Sequence, residues 1–367
     1  MSSHTTAVAV SGGIDSLYAA WLLKQAGHEI VGIHFITGYE KNACQNLDAS
    51  PSPWLTIHSE NGRTAIPVMN HVAEQLQMPI HIIDIRDRFE TGVVAPFVEA
   101  YRSGNTPNPC LLCNPAVKFG FLLDVAASIG ADRLATGHYV KTRLDDTGSV
   151  HLLKGEDPLK DQSYFLSMVP REHLGKALFP LGGMIKEEIK KKALEAGLSS
   201  FTKSESQDIC FIQDGDYKAF LLERPGFSMK PGPIVTKEGT EVGRHLGLHG
   251  FTVGQRRGIN CPGPYPYYVL ALEPEANRLV VGKKEDLLSE ACTVTRLNWI
   301  QPPAKTTIEA TCKIRYSHKG CPCRIEMDPA QNSATVTFES PQSAVTPGQG
   351  AVFYADDEVL GGGWIKR

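Results

Sequence analysis

Long apolar runs are missing from this 367-residue chain. The longest unbroken one, Leu17 to Leu23, is far short of the ~20 residues that cross a bilayer. No membrane span is therefore expected. No basic-then-apolar leader opens the sequence, so a cytoplasmic location is the expectation. An excess of one charge is missing as well. The 37 Lys+Arg and 40 Asp+Glu leave a net charge of −3, which excludes a generically basic nucleic-acid binder but not a local basic face. Residues 231–320 in fact hold 12 Lys+Arg against 8 Asp+Glu. There is no internal repeat and no low-complexity run. An even, regularly spaced cysteine set is also lacking: the count is nine, and without a secretion signal a static disulfide framework is not expected. The thiols are expected to be buried fillers, metal ligands or reactive groups. What is present is an ordinary globular composition, 42% hydrophobic and 21% charged, long enough for two or three domains.

The first two-fifths alternate short strands with helical patterns. Ala7–Val10, Ile30–Phe35, Ile80–Ile85 and Arg133–Ala135 read as strands. Leu17–Ala26, Thr64–Leu76 and Lys118–Ile129 read as helices, the first stopping at Gly27 and the last at Gly130. This predicts an α/β fold with a parallel sheet, whose ligands lie beyond the carboxyl ends of the strands. Lys186–Ala196 is a last clear helix. After a Gly- and Pro-rich stretch at 225–267, strand-like segments dominate: Val294–Ile300, Thr306–Ile314, Arg324–Met327, Ala334–Phe338 and Ala351–Tyr354. They predict a small antiparallel barrel. The expected domains are residues 1–215, 216–287 and 288–367.

Several segments could carry chemistry. Ser11-Gly12-Gly13-Ile14-Asp15-Ser16 follows a strand and opens a helix. Two glycines let the backbone wrap a phosphate, the serines add donors, and the helix start supplies positive potential. It is neither the Walker pattern nor the dinucleotide fingerprint, and an ordinary strand-to-helix turn is the bland alternative, but with strand and helix both in place a phosphate cradle is the expectation. Thr106-Pro107-Asn108-Pro109-Cys110-Leu111-Leu112-Cys113-Asn114 sets a stiff proline approach before a Cys-x-x-Cys pair. That pair can be redox-active, metal-ligating or inert. Cys210, within Ser204–Ile212, reads alone as structural. Thr136–Tyr139, Lys160–Tyr164, Gly254–Gly258 and Lys313–Tyr316 are polar loops. Each alone reads as solvated surface, but basic and aromatic groups in separate loops suit RNA contact.

Taken in order, these segments resemble the bacterial tRNA-specific 2-thiouridylases. The resemblance runs the length of the chain, through Ser11–Ser16, Thr106–Asn114, Leu134–Tyr139, Lys160–Leu166, Leu178–Gly182, Gln207–Ile212, Thr252–Gly258, Lys313–Tyr316, Ala344–Gly350 and Leu360–Gly363. It implies a pyrophosphatase-loop (PP-loop) domain of the adenine-nucleotide α-hydrolase type, a small central domain and a C-terminal β-barrel. It implies ATP-dependent replacement of the C2 oxygen of the wobble uridine by sulfur, in tRNAs for Lys, Glu and Gln. ATP with Mg²⁺ would be held by Ala9, Val10, Ser11, Gly12, Gly13, Ile14, Asp15 and Ser16, with Phe35 against the adenine and Gly137 letting the nucleotide approach. Cys210 matches the persulfide carrier, loaded by a cysteine desulfurase or a relay protein, and Cys113 the nucleophile. The two would end as a disulfide. Asn108, Pro109 and Cys110 match target-base contacts. Lys160, Asp161, Gln162, Arg315 and Tyr316 match tRNA contacts.

One position departs from the family. Familiar members have Asp, assigned an acid/base role, where this chain has Cys110. That thiol could act as base, as resolving thiol or not at all. It also opens a second route, in which Cys110, Cys113 and Cys210 hold a [4Fe–4S] cluster with one open iron. Two further readings keep less of the sequence at work: a PP-loop pyrophosphatase acting on a small metabolite, and a non-enzymatic RNA-binding or redox module.

Overall fold

In a computed structural model, residues 5–40, 50–201, 209–212 and 215–366 are described. The chain divides into two compact units. One comprises Met1–Gly92, Leu112–Phe211 and Asp357–Val359; the other comprises Val93–Leu111, Ile212–Asp356 and Leu360–Arg367.

In the first unit, strands β1 (Thr5–Ala9), β2 (Glu29–Ile36), β3 (Leu55–Ile57), β4 (Ile80–Asp84) and β5 (Arg133–Ala135) are followed by a hairpin, β6 (Val140–Leu144) and β7 (Val150–Lys154), and by the two-residue β8 (Ala177–Leu178). The sheet order is β3-β4-β2-β1-β5-β8, and every printed pairing in it is parallel. A buried parallel strand needs apolar residues on both faces. Ala7 and Val8 of β1, Ile33 of β2 and Ile80 and Ile82 of β4 accordingly have no exposed surface. Helices Ile14–Gln25 and Ile66–Leu76 cover the sheet, placing Leu17, Met69, Val72 and Leu76 in the same core. The strand order reverses at β1. The loops after β1 and β5 therefore flank the crevice where an open α/β sheet takes its ligand. The hairpin β6–β7 continues onto Glu358 and Val359 through β7.

The sequence reading differs from the structure at two helices. Thr64–Leu76 begins as a 3₁₀ turn over Glu60–Ala65, because Pro67 is tolerated in an α-helix only within the first turn. The helix expected from Lys118 begins at Cys110 and runs through a π-helical stretch, Asn114–Phe121, to Ser128. Wide turns of this kind recur at functional sites. The Cys110–Ser128 helix also has the length and composition to cross a membrane, which the search for unbroken apolar runs overlooked. Here Val117, Phe119, Leu122, Leu123 and Ala126 are buried within the protein.

In the second unit, β9 (Gly232–Thr236), β10 (Glu241–His245), β11 (Tyr268–Glu273) and β12 (Arg278–Gly282) form a sheet in the order β10-β9-β12-β11. Strands β13 (Leu288–Trp299), β14 (Thr307–Lys313), β15 (Cys321–Asp328), β16 (Ser333–Ser343), β17 (Gly350–Ala355) and β18 (Glu358–Ile365) form the antiparallel barrel. It closes because β13 pairs with both β16 and β18. Alternation is clear in β15, where Cys321, Cys323 and Ile325 point inward between exposed neighbours. The Thr106 segment belongs to this unit. The Thr106 amide donates to Pro347 O at 2.9 Å, and Gln349 Nε2 donates to Thr106 O at 2.8 Å.

Candidate active site

The turn after β1 is built before any ligand arrives. Gly12 has φ +83°, a left-handed value that favours glycine. The Ser16 hydroxyl donates to Gly13 O at 3.0 Å, which leaves its oxygen to accept from the Ser11 amide at 3.1 Å and from the Ser11 hydroxyl at 3.2 Å. The helix then starts with Leu17 N donating to Gly13 O. Gly137, in the loop after β5, lies against the turn itself: a Cβ there would stand 3.0 Å from Asp15 C and from Ser16 N. Its lack of a side chain is needed by the protein's own backbone. From β2, the His34 Nδ1–H donates to Val10 O at 2.8 Å, which fixes the tautomer. Burial holds this imidazole below its usual value and keeps it neutral. Ala9 ends β1 and Phe35 lies half-buried near the end of β2.

Asp15 is the electrostatic centre of the turn. The ammonium of Lys186 meets its Oδ1 at 2.5 Å, and the Tyr139 hydroxyl donates to the same atom at 2.6 Å. Lys186 is only 3% exposed. It opens the Lys186–Glu195 helix, where its amide donates to Asp157 Oδ2 at 3.0 Å. Sequence reasoning missed both Lys186 and His34. Lys186 carries no motif of its own, and its role depends on a contact between residues 171 positions apart.

Around the thiols, the Cys110 amide donates to Asn108 Oδ1 at 3.1 Å, an Asx-type start that lets the helix begin right after Pro109. Cys113 is buried and Cys110 half-buried. The Asn114 side-chain amide donates to Phe165 O at 2.9 Å. Lys118, further along the helix, donates to His138 Nε2 at 3.4 Å, and His138 Nδ1–H then donates to the Thr136 hydroxyl oxygen at 2.7 Å. Burial, followed by the Lys118 charge, holds His138 far below its usual value, so it stays neutral.

Cys210 is exposed, and the neighbouring Phe211 is buried. The Phe211 ring packs on Phe89 at 5.7 Å and on Tyr39 at 5.9 Å, while the Tyr39 hydroxyl donates to Glu90. Desolvation is the largest influence on the Cys210 thiol and pushes it up, although solvent still reaches the residue and blunts that push. The Lys118 charge and the amides of Cys210 and Phe211 pull it down, and the Glu40 charge pushes it up. Glu40 is fixed by the Thr37 amide at 2.6 Å and the Gly38 amide at 3.0 Å.

The residues expected to meet RNA fall into two classes. Asp161 is 7% exposed, and its carboxylate accepts from the amides of Gly155 and Ser163 and from the Ser163 hydroxyl. It shapes its loop from within. Lys160 and Gln162 keep partial exposure, with Gln162 Oε1 accepting from the Tyr139 amide. In the second unit, Tyr316 is exposed, Arg315 donates to Ser343 O, and Arg256 and Arg257 are exposed. Gln207 and Cys44 lie outside the described residues.

Among the described residues, no three His, Cys, Asp or Glu side chains gather as a cation site. No disulfide is formed among the described cysteines either.

A parallel sheet with a glycine-rich strand-to-helix turn at its switch point, a π-containing cysteine helix and a closed barrel define a HUP-type domain joined to β-barrel modules. Comparison with protein families agrees. Residues 4–214 match the family described as a tRNA methyl transferase HUP domain. Residues 218–283 match its PRC-barrel domain, and residues 289–365 an aminomethyltransferase beta-barrel domain. The relatives are more specific than these descriptions. The tRNA-specific 2-thiouridylase MnmA of Geobacter metallireducens is 43% identical over 368 residues, covering 98% of this chain and 95% of the relative. That of Desulfosudis oleivorans is 44% identical, covering 100% and 96%. The protein of the same name from Geotalea uraniireducens is 43% identical, covering 98% and 94%. The chain belongs to the tRNA-specific 2-thiouridylase family.

Proposed function

We propose that this protein is an ATP-dependent sulfurtransferase that converts the wobble uridine of tRNAs for Lys, Glu and Gln to 2-thiouridine. The observation that carries the reading is that one compact unit holds the built Ser11–Ser16 turn, Cys113 and Cys210. The relatives' shared name supports it.

A carbonyl oxygen is a poor leaving group and is activated first. The uridine O2 bonds to the α-phosphorus of ATP, the bond to the bridging oxygen breaks, and pyrophosphate leaves with the electron pair. The N3 proton is given to solvent. The Ser11–Ser16 turn holds the phosphates, Phe35 faces the adenine and Gly137 keeps the turn open. Mg²⁺ suits the oxygen donors present and would be held by Asp15 with the substrate phosphates, supplying charge neutralisation.

Sulfur follows. Cys210 carries a persulfide taken from a cysteine desulfurase or a relay protein. The Cys113 thiolate attacks the inner sulfur, the S–S bond breaks, and the terminal sulfur leaves with the electron pair as hydrosulfide. That sulfur adds to C2, AMP leaves with the C2–O electrons, and the hydrosulfide proton restores N3. Cys113 and Cys210 end as a disulfide, which a dithiol reductant reopens. Asn108 and Pro109 present the base, with Cys110 at its side. Lys160, Gln162, Arg315 and Tyr316 contact the tRNA, and Asp161 braces the loop that carries two of them. The work is assigned to the cytoplasm, where tRNA and ATP are at hand.

The test is reconstitution with cognate tRNA, ATP, Mg²⁺, a desulfurase and cysteine, read by nucleoside mass spectrometry. A 2-thiouridine product dependent on every component is expected, and its absence sinks the proposal. Pyrophosphate release indifferent to tRNA would point to a small-metabolite acceptor instead. For the cluster route, anaerobic purification with iron analysis is expected to give no stoichiometric iron, and stoichiometric iron lost with Cys110→Ala would favour the cluster instead.

A further inference from the structure

Lys186 stands out among the cations of this protein. Its side chain is 4% exposed, against 35% for its partner Asp15. Among the described residues its ammonium has one hydrogen-bond acceptor, Asp15 Oδ1, and one ring, that of Tyr139 at 5.7 Å from the nitrogen. An ammonium has three N–H donors, so two are unspent. Asp15 Oδ1 in turn receives both Lys186 and the Tyr139 hydroxyl. A buried cation with idle donors is costly unless something else is to receive them. The place is informative: Asp15 lies inside the Ser11–Ser16 turn, on the first turn of the helix that follows. What such a turn receives is phosphate.

We propose that Lys186 contacts the triphosphate directly, as a catalytic residue of the adenylation step. Asp15 holds the ammonium in readiness at the turn. When ATP binds, the two idle donors bond to phosphate oxygens, and they neutralise the charge that builds on pyrophosphate as the bond between the α-phosphorus and the bridging oxygen breaks. No proton leaves Lys186 in this step. A protein group that meets developing charge without reorganisation is the most effective kind of transition-state stabilisation. The inference rests on the adenylating role proposed above and adds a residue to it.

A purely structural Lys186 would serve only to neutralise Asp15, and a set of variants separates the two roles. Four proteins are compared with the wild type: Lys186→Met, Lys186→Arg, Asp15→Asn, and the double variant. The readouts are ATP affinity by equilibrium binding, tRNA affinity, and pyrophosphate release resolved into KM for ATP and kcat. For Lys186→Met we expect at least about a hundredfold loss in pyrophosphate release, with tRNA affinity retained and partial rescue by Lys186→Arg, in line with the loss of one charge-stabilising donor. The double variant is expected to release pyrophosphate far more slowly than Asp15→Asn alone. It also keeps the test readable if Lys186→Met does not fold, since it leaves no unpaired charge. Equal activity of the double variant and Asp15→Asn would overturn the proposal, as would wild-type KM and kcat in Lys186→Met. If the wild type itself releases no pyrophosphate, the adenylation reading fails. ATP affinity then still reports on the contact: a tenfold or greater loss in the double variant relative to Asp15→Asn supports it, and equal affinity overturns it.

Discussion

Cys210 is surrounded by an ammonium, a carboxylate and two backbone amides, whereas Cys312, Cys321 and Cys323 of the barrel sit in one apolar cluster among themselves. Cys312 faces Cys321 directly across the β14–β15 ladder, and Cys323 is two residues further along on the same face. Cys312 is fully buried; its contact with Cys323, and then burial, push its thiol far up. Cys292 joins the edge of the cluster, pushed up to about 12 by burial and by Cys323. A thiolate is what attacks, ligates and exchanges. The comparison teaches that cysteine count says little about sulfur chemistry. Desolvation raises the Cys210 thiol, but a cation and two amides act against that rise and solvent reaches it, whereas a thiol among thiols in a dry core only fills space.

The largest effect that could break this contrast is loss of activity. Cys113→Ser and Cys210→Ser are each expected to lower 2-thiouridine formation by about 10³-fold or more, as removal of a covalent group does. Cys312→Ala is expected to leave it near wild type, while costing about 1–2 kcal/mol of stability in a urea titration through the cavity left behind. Loss of thiolation in Cys312→Ala in a folded protein would dissolve the distinction. Alkylation sharpens it next. With iodoacetamide under native conditions, mass spectrometry should find Cys210 modified at least about a hundredfold faster than Cys312, which reacts only through opening of the barrel.

A finer test reads the charges at Cys210. Lys118 favours the thiolate and Glu40 opposes it, so Lys118→Gln should move the pH at which Cys210 becomes alkylated upward, and Glu40→Gln downward. No movement in either variant would remove the electrostatic half of the comparison. The smallest expected effect comes from a site where a charge stabilises without reacting. His151 lies between Glu358, at 2.7 Å, and Asp145, at 3.2 Å. The hydrogen bond to Glu358 raises it first; desolvation opposes and Asp145 adds to the rise. A raised folded pKa gives stability that is complete below the unfolded value of about 6.5 and fades as pH rises through the folded one. The melting-temperature gap between wild type and His151→Gln should therefore be widest in mild acid and close toward alkaline pH. A gap independent of pH would show that packing alone is at work there.

Much of the scaffold was legible in the chain. The parallel strands announce themselves through Val8, Ile33 and Ile82, because burial on both faces demands apolar runs. The alternation of β15 marks the barrel for the same reason, with only one face buried. The strand, turn and helix around Ser11–Ser16 were legible because Gly12 supplies a left-handed backbone between an apolar strand and a helical pattern. Other features were hidden for physical reasons. The hairpin β6–β7 is polar on its open side, and the sequence carried no expectation of strands there. The helix start at Cys110 depends on a single side-chain acceptor, Asn108, that overrides the proline signal. Asp161 looked like a surface carboxylate, but three donors from its own loop draw it inward. Lys186 could not be read at all, since nothing local ties residue 186 to residue 15.

The hydrogen bonds that tie Thr106 to Pro347 and Gln349 have a further consequence. They join the approach to Cys110 to a loop some 240 positions downstream, inside a single compact unit. Trimming the protein after residue 287 would not simply detach a terminal module. It would strip a backbone donor and acceptor of their partners three residues ahead of Pro109, leaving the approach to the Cys110 helix without its moorings. Natural or engineered shortening is thus better tolerated elsewhere, and changes near Gly348 should act on the reaction as well as on the barrel's own stability.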